Sequence, residues 1–262
     1  MIQRLPKWGL FLLLGLGFLF VTLPLVHLFL SLSARELLET VRDREVWRAI
    51  RVSFEGALGA TCLGLFLGAP AGYFLARHSF PGKAFIEGLF NLPIVIPHVA
   101  VGIILLNILN ENAPLGRFFG LFHLTFVDTI YGIMVAMCFV SLSYVVSASL
   151  MGFRSLDPDL ELTARTLGAS PWFTFSRITF PLVFPYLLRG AVLALARSLS
   201  EVGALLILAY YPRTAPILIY ERFENYGLVK ARPITALIVL LSLLLFSGLV
   251  LISRRVGQKD VA

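Results

Sequence analysis

The chain has 262 residues, of which 58% are hydrophobic and only 14% charged, and its mean hydropathy is +0.87. Soluble domains sit near half apolar and a quarter charged, so this composition excludes a soluble fold and marks an integral membrane protein. The formal charge of +7 does not point to nucleic acid, because the Lys and Arg residues flank apolar runs, where they anchor and orient helices.

A helix crossing a bilayer needs roughly 20 apolar residues. Uncharged runs lie between Lys7 and Arg35, Glu55 and Arg77, Glu87 and Glu111, Asp128 and Arg154, and Arg232 and Arg254. A sixth run, from about Val183 to Tyr211, carries Arg189, Arg197 and Glu201. The reading is an all-α integral membrane protein of about six transmembrane helices, since runs this long do not resemble barrel strands.

The first run follows Arg4 and Lys7 and ends near Ser31-Leu-Ser-Ala34, which resembles a signal-peptide cleavage site. Its apolar stretch, Gly9 to about Leu32, exceeds the roughly 7–15 residues of a signal core, so it reads as an uncleaved span. The mixed-charge stretch Arg35–Arg51 reads as an interfacial helix leading into the second span. The third span opens with Asn91-Leu-Pro-Ile-Val-Ile-Pro-His98. Pro93 and Pro97 remove helix hydrogen bonds, which leaves two readings, a packing kink or a piece of a translocation path.

After the fourth span comes a polar interruption, Phe153–Leu182, within an otherwise apolar chain. Asp157 is placed to cap a helix whose first residue is Pro158, and Gly168 to end it. Ser170 is placed to cap a second helix beginning at Pro171. Two short helices on one membrane face make a docking element.

The fifth span holds Arg197-Ser-Leu-Ser-Glu201. An Arg at the hydrocarbon centre costs at least about 3 kcal/mol, so it faces protein or water. Arg197 and Glu201 are four apart and share a helix face. Either they line or gate a polar route with Ser198 and Ser200 beside them, or they are a structural pair clamping two helices. Charges that cancel suit a gate better than an anion pocket.

Enzyme chemistry finds no foothold. Cys62 and Cys138 lie inside spans as small packing residues, and His27, His78, His98 and His123 are scattered without metal-ligand spacing. No H-E-x-x-H or G-x-S-x-G occurs, and Gly82-Lys83 is followed by Ala84 without the upstream glycine of a phosphate loop. No metal, cofactor or ATPase site is expected on this chain.

Glu161-Leu-Thr-Ala-Arg-Thr-Leu-Gly168-Ala-Ser-Pro, followed by Ile178-Thr-Phe-Pro181, resembles the EAA loop of binding-protein-dependent ABC importer permeases. That pattern has an acid and alanines, a glycine, then nine residues before Ile-x-Leu-Pro. Nine residues separate Gly168 from Ile178 here, and Phe180 stands where Leu is usual. The acid lies one position upstream of its usual place, with Leu162-Thr163-Ala164 where the family has Glu-Ala-Ala.

Ser79–Lys83, Asn91–Gly102, Ala196–Ala204 and Ala209–Arg222 resemble the molybdate/tungstate and sulfate permeases, the last segment most closely the molybdate/tungstate branch. The resemblance covers roughly residues 45 to 252. It implies a type I ABC importer permease fold and a membrane subunit for ATP-driven molybdate/tungstate import, with a sulfate/thiosulfate permease as the alternative. An ATPase-independent channel or receptor is a further alternative, and the Gly168 loop argues against it.

The implied partners are a cytoplasmic ABC ATPase dimer carrying ATP and Mg, an external oxyanion-binding protein, a second permease copy and membrane lipid. The implied coupling residues are Glu161, Ala164, Leu167, Gly168, Ala169 and Pro181, with the Ala164 and Gly168 face leading. The implied path or gate is Arg197, Ser198, Ser200, Glu201, Pro93 and Pro97. Arg213, Glu221, Arg222 and Glu224 are either a contact for the binding protein or a solvated loop.

The resemblance also sets an orientation that the balanced Lys/Arg count cannot, with the 153–182 loop and both termini cytoplasmic in a multi-pass cell-membrane protein. The expected division is 1–44 for the first helix and outer interfacial segment, 45–252 for the ABC type-1 transmembrane domain, and 253–262 for a short basic tail.

Overall fold

The computed structural model describes residues 7–258 and is helical throughout, with no strand among them. Part of the expected basic tail, residues 259–262 with Lys259, lies outside the described residues. The thirteen α-helices are α1 (Lys7–Leu30), α2 (Ala34–Arg42), α3 (Arg44–Arg77), α4 (Lys83–Asn91), α5 (His98–Leu109), α6 (Pro114–Gly120), α7 (Ile130–Ser155), α8 (Pro158–Thr166), α9 (Pro171–Thr174), α10 (Phe180–Leu199), α11 (Gly203–Leu208), α12 (Ala215–Tyr226) and α13 (Leu228–Gln258).

The core is the pair α3 and α7, with α10 packed across both. In a bilayer, lipid is as apolar as leucine, so helices associate where small residues let backbones approach. On α3 these are Gly56, Ala60, Gly64, Gly68 and Gly72, one every four residues and all buried. At Gly72 an added Cβ would stand 2.4 Å from Ser149 Cβ and 2.8 Å from the Leu150 nitrogen of α7. Ile133, Ala136, Met137 and Val140 of α7 are buried against this stripe and continue the core toward Leu105 of α5 and Leu205 of α11.

Four expectations change. The Arg35–Arg51 stretch is two helices, because Asp43 ends α2 and caps α3 by accepting from the Glu45 N–H. Helix α2 starts in a capping box in which Ser33 and Glu36 satisfy each other, and the Ser33 N–H and hydroxyl hold the Glu36 carboxyl below its usual range. Cys62 is exposed, and only Cys138 packs in the core.

The third span is not one helix. Residues Lys83–Ile94, which include a 3₁₀ turn at Leu92–Ile94, meet His98–Leu109 at 108°. Pro93 and Pro97 withhold two backbone donors, and the chain turns there. The fifth span also breaks, between Leu199 and Gly203, so α11 is a separate short helix. Five helices are individually long and apolar enough to cross a membrane, and the bent pair brings the number to six.

Helix α1 differs from the rest. The window Trp8–Leu30 is wholly unburied, and its leucines and phenylalanines, such as Phe11, Leu14 and Phe18, face outward. Its main contact with the bundle is along α13.

Candidate functional site

The structure builds two polar features onto this scaffold. The first is the loop between α7 and α10. Asp157 accepts from the Asp159 N–H with Pro158 in the first turn, and Ser170 accepts from the Phe173 N–H with Pro171 in the first turn. Gly168 adopts φ +92, a left-handed conformation that a Cβ disfavours. Helix α8 therefore stops at Thr166, and the chain turns into α9.

Of the expected coupling residues, Leu167 is 83% exposed and shares an open hollow with Ala164, Gly168, Ala169, Ser170 and Phe173. Trp172 is also exposed beside it. Glu161 does not line this hollow. It faces back into the subunit, where Oε1 accepts from Arg77 Nη2 at 2.9 Å and from Thr179 Oγ1 at 2.7 Å. Arg77 Nη1 also donates to the Leu156 carbonyl at 3.2 Å. The loop is thereby tied to the end of α3 and the start of α10.

Pro181 is exposed near the α10 start. A π-turn at Phe175–Thr179, in which the Phe180 N–H donates to the Phe175 carbonyl, carries the helix from α9 into α10 around a residue with no N–H. The apolar face of α8 and α9 thus points away from the bundle while its acid is used to hold it in place.

The second feature joins the two helix breaks. Glu201 has no exposed surface, and its carboxylate accepts three donors. Oε1 takes the Ala204 N–H at 2.8 Å, and Oε2 takes Arg197 Nη2 at 2.9 Å and His98 Nδ1 at 2.7 Å. Arg197 Nη2 also lies 2.8 Å from His98 Nε2. Arg197 Nη2 is also 2.7 Å from His98 Nδ1, so the guanidinium lies against both ring nitrogens.

Sequence reasoning named Arg197 and Glu201 here but missed His98, whose only signal was its place directly after Pro97. Close approach makes the junction possible. A Cβ on Gly203 would stand 2.7 Å from His98 Cβ, and one on Gly102 would stand 2.7 Å from the Ala204 carbonyl oxygen. Ser200 is exposed and lies beside Arg197 at 3.3 Å. Ser198 corrects the expectation, since it is fully buried and turned to the Met137 carbonyl of α7 at 3.4 Å. Pro93 is buried, and Pro97 is exposed at the bend.

At the other end of the bundle, charges form a latch. Arg213 pairs with Glu45 and, at 2.8 Å, with Glu221. Arg222 pairs with Glu45 at 2.6 Å and Asp43 at 3.4 Å. Arg213 and Arg222 are thereby tied to the start of α3 and Glu221 to Arg213, while Glu224 is exposed. No group of three or more His, Cys, Asp or Glu side chains able to hold a metal occurs among the described residues.

Residues 49–258 match the family model described as "Binding-protein-dependent transport system inner membrane component". The chain belongs to this family. The permease is 42% identical to the molybdate/tungstate transport system permease protein WtpB of Thermococcus kodakarensis, over 92% of each chain. It is 30% identical to the sulfate transport system permease protein CysT of Escherichia coli (strain K12), over 97% of this chain and 95% of that protein. The permease fold also superposes on a bacterial ABC transporter that imports the acidic polysaccharide alginate, with a TM-score of 0.68 at 20% identity over 95% of both chains. That likeness shows a shared ABC importer membrane fold.

Proposed function

We propose that this permease is the membrane-spanning subunit of an ATP-driven importer of molybdate or tungstate. It receives the oxyanion from an external binding protein and couples transport to a cytoplasmic ATPase dimer that carries ATP and Mg. The observation that carries the coupling reading is the capped α8–α9 loop, whose Leu167, Trp172 and Phe173 project outward from a base fixed by Glu161. An exposed apolar patch on a preorganised loop is a docking surface, and Ala164, Gly168 and Ala169 leave room for a partner's side chains.

In this reading the loop and both termini are cytoplasmic, and two copies of the permease pair around the path. ATP-driven closure of the ATPases moves the docked loops as rigid bodies, and the Arg197–Glu201–His98 junction with the Pro93–Pro97 bend forms the gate. Greater similarity to WtpB than to CysT favours molybdate or tungstate over sulfate.

The test has two arms in vesicles containing the complete transporter. Leu167→Asp is expected to abolish ATP-driven uptake while the protein still inserts, and normal uptake by that variant would refute the docking assignment. Uptake of tungstate, molybdate and sulfate by the native transporter fixes the cargo. A preference for sulfate would move the permease to the alternative branch.

A further inference from the structure

Arg189 lies nine residues after Phe180 in α10, is exposed, and makes no hydrogen bond or ion pair among the described residues. Leu182, Arg189, Leu193, Ala196 and Ser200 are all exposed. Their separations of seven, four, three and four place them on one helical face. Val183, Leu187, Ala194 and Ser198 on the opposite face are buried. Helix α10 therefore leaves one stripe exposed, with Arg189 on its open half, Ala196 and Ser200 opening onto a hollow shared with Leu25 of α1 and Ser242 of α13, and Arg197 at its edge.

Helix α1 shows what a stripe without such polar groups looks like, since Trp8–Leu30 contains no Asp, Glu, Lys or Arg and exposes hydrocarbon side chains such as Phe11, Leu14 and Phe18. A guanidinium with no partner is too costly to leave against lipid tails and belongs on a water-lined face. The two arginines are eight residues apart, a rise of about 12 Å along the helix. They are not equivalent, because Arg197 is committed to Glu201 and His98. The uncompensated positive charge on the stripe belongs to Arg189.

We propose that Arg189 is a transient station for the transported tetrahedral oxyanion on the loop-facing half of the path. This deepens the importer reading and rests on it. The guanidinium fork offers paired donors that match two oxygens of a tetrahedral anion. Helical side chains lean toward the helix N-terminus, which for α10 is the end carrying the α8–α9 loop. Arg189 therefore leads the anion away from the junction. A single hydrated cation in an open stripe binds weakly enough to release it, as conduction requires.

The test uses the full transporter in vesicles, with Cys62→Ser and Cys138→Ser as background. Arg189→Cys is compared with Phe18→Cys on α1 for modification by a water-soluble, positively charged thiol reagent. The thiol introduced by Arg189→Cys is expected to react at least tenfold faster than the one introduced by Phe18→Cys, and to be protected by tungstate. The attached ammonium is expected to restore uptake that a neutral reagent of equal size does not. Arg189→Gln is expected to lower uptake about tenfold, and Arg189→Lys to retain more than half.

Equal reactivity of the two introduced thiols, or wild-type uptake by Arg189→Gln, would overturn the proposal and leave Arg189 as a membrane anchor. If Arg189→Gln does not insert, the thiol comparison decides alone. If the unmodified transporter carries no oxyanion, the importer reading fails instead, while the thiol reaction still reports whether the stripe is wet.

Discussion

Nδ1 of His98 and Oε2 of Glu201 lie 2.7 Å apart across 103 residues of sequence, and this contact joins the break between α4 and α5 to the break between α10 and α11. Two interrupted helices are thereby pinned at one buried carboxylate. Any movement that separates α5 from α11 must first break the contacts of His98 with Glu201 and Arg197, while Arg197 and the Ala204 N–H stay with the carboxylate on the α10–α11 side.

Glu201→Ala should destabilise the permease by about 3–5 kcal/mol, because it leaves Arg197 partly buried without its charge partner. The double variant Arg197→Ala/Glu201→Ala should be less destabilised than the sum of the two single ones, by a coupling of about 0.5–3 kcal/mol. Thermal unfolding in detergent with a double-mutant cycle measures both. Additive losses would show that the pair does not act as a unit.

Gly203→Ala tests the close approach that brings His98 to Glu201. The new Cβ would lie 2.7 Å from His98 Cβ and 3.2 Å from the Val99 nitrogen, so α5 and α11 must separate. The expected loss is about 1–3 kcal/mol from overpacking, read as a lower midpoint of unfolding. Gly248→Ala, where an added Cβ meets nothing within 4 Å, should leave the midpoint unchanged.

Glu161→Ala should loosen the α8–α9 loop without unfolding the bundle. Arg77 and Thr179 lose their shared acceptor, at a cost of about 1–3 kcal/mol for the unpaired groups. Amide hydrogen exchange across residues 158–166 should rise by one to two orders of magnitude, with exchange in α7 unchanged. Unaltered protection of α8 would show that Glu161 does not hold the loop.

Gly168→Ala places a Cβ at φ +92 where space is open, so only backbone strain opposes it, about 1 kcal/mol. The expected result is a small fall in the unfolding midpoint with insertion intact. Gly168→Asp adds a charge to the exposed apolar face and should abolish ATP-driven uptake at similar stability. Equal uptake by both variants would separate this glycine from any coupling role.

Much of the loop was legible before any coordinates, because caps are local. Asp157, Pro158, Gly168, Ser170 and Pro171 act within four residues of themselves, and their chemistry alone sets where α8 begins and ends and where α9 begins. The spans were legible because charge gaps report hydrocarbon length. The small-residue stripe from Gly56 to Gly72 was equally present in the sequence as a four-residue repeat, and it marks the packing face of α3. The direction of Glu161 was not legible, since its partner Arg77 is 84 residues away.

The sequence by itself determined a membrane protein of about six apolar runs, the caps of the α8–α9 loop and the positions of the helix-breaking prolines. Those follow from hydrophobic length, backbone donors and short side chains acting on their neighbours. Tertiary structure alone decided that Glu161 turns inward, that Ser198 faces α7 and that His98 completes the Arg197–Glu201 junction. It also decided which face of α10 is left open. Each depends on which surfaces meet across the bundle, and that is settled by close packing at Gly102, Gly203 and the α3 stripe rather than by local preference.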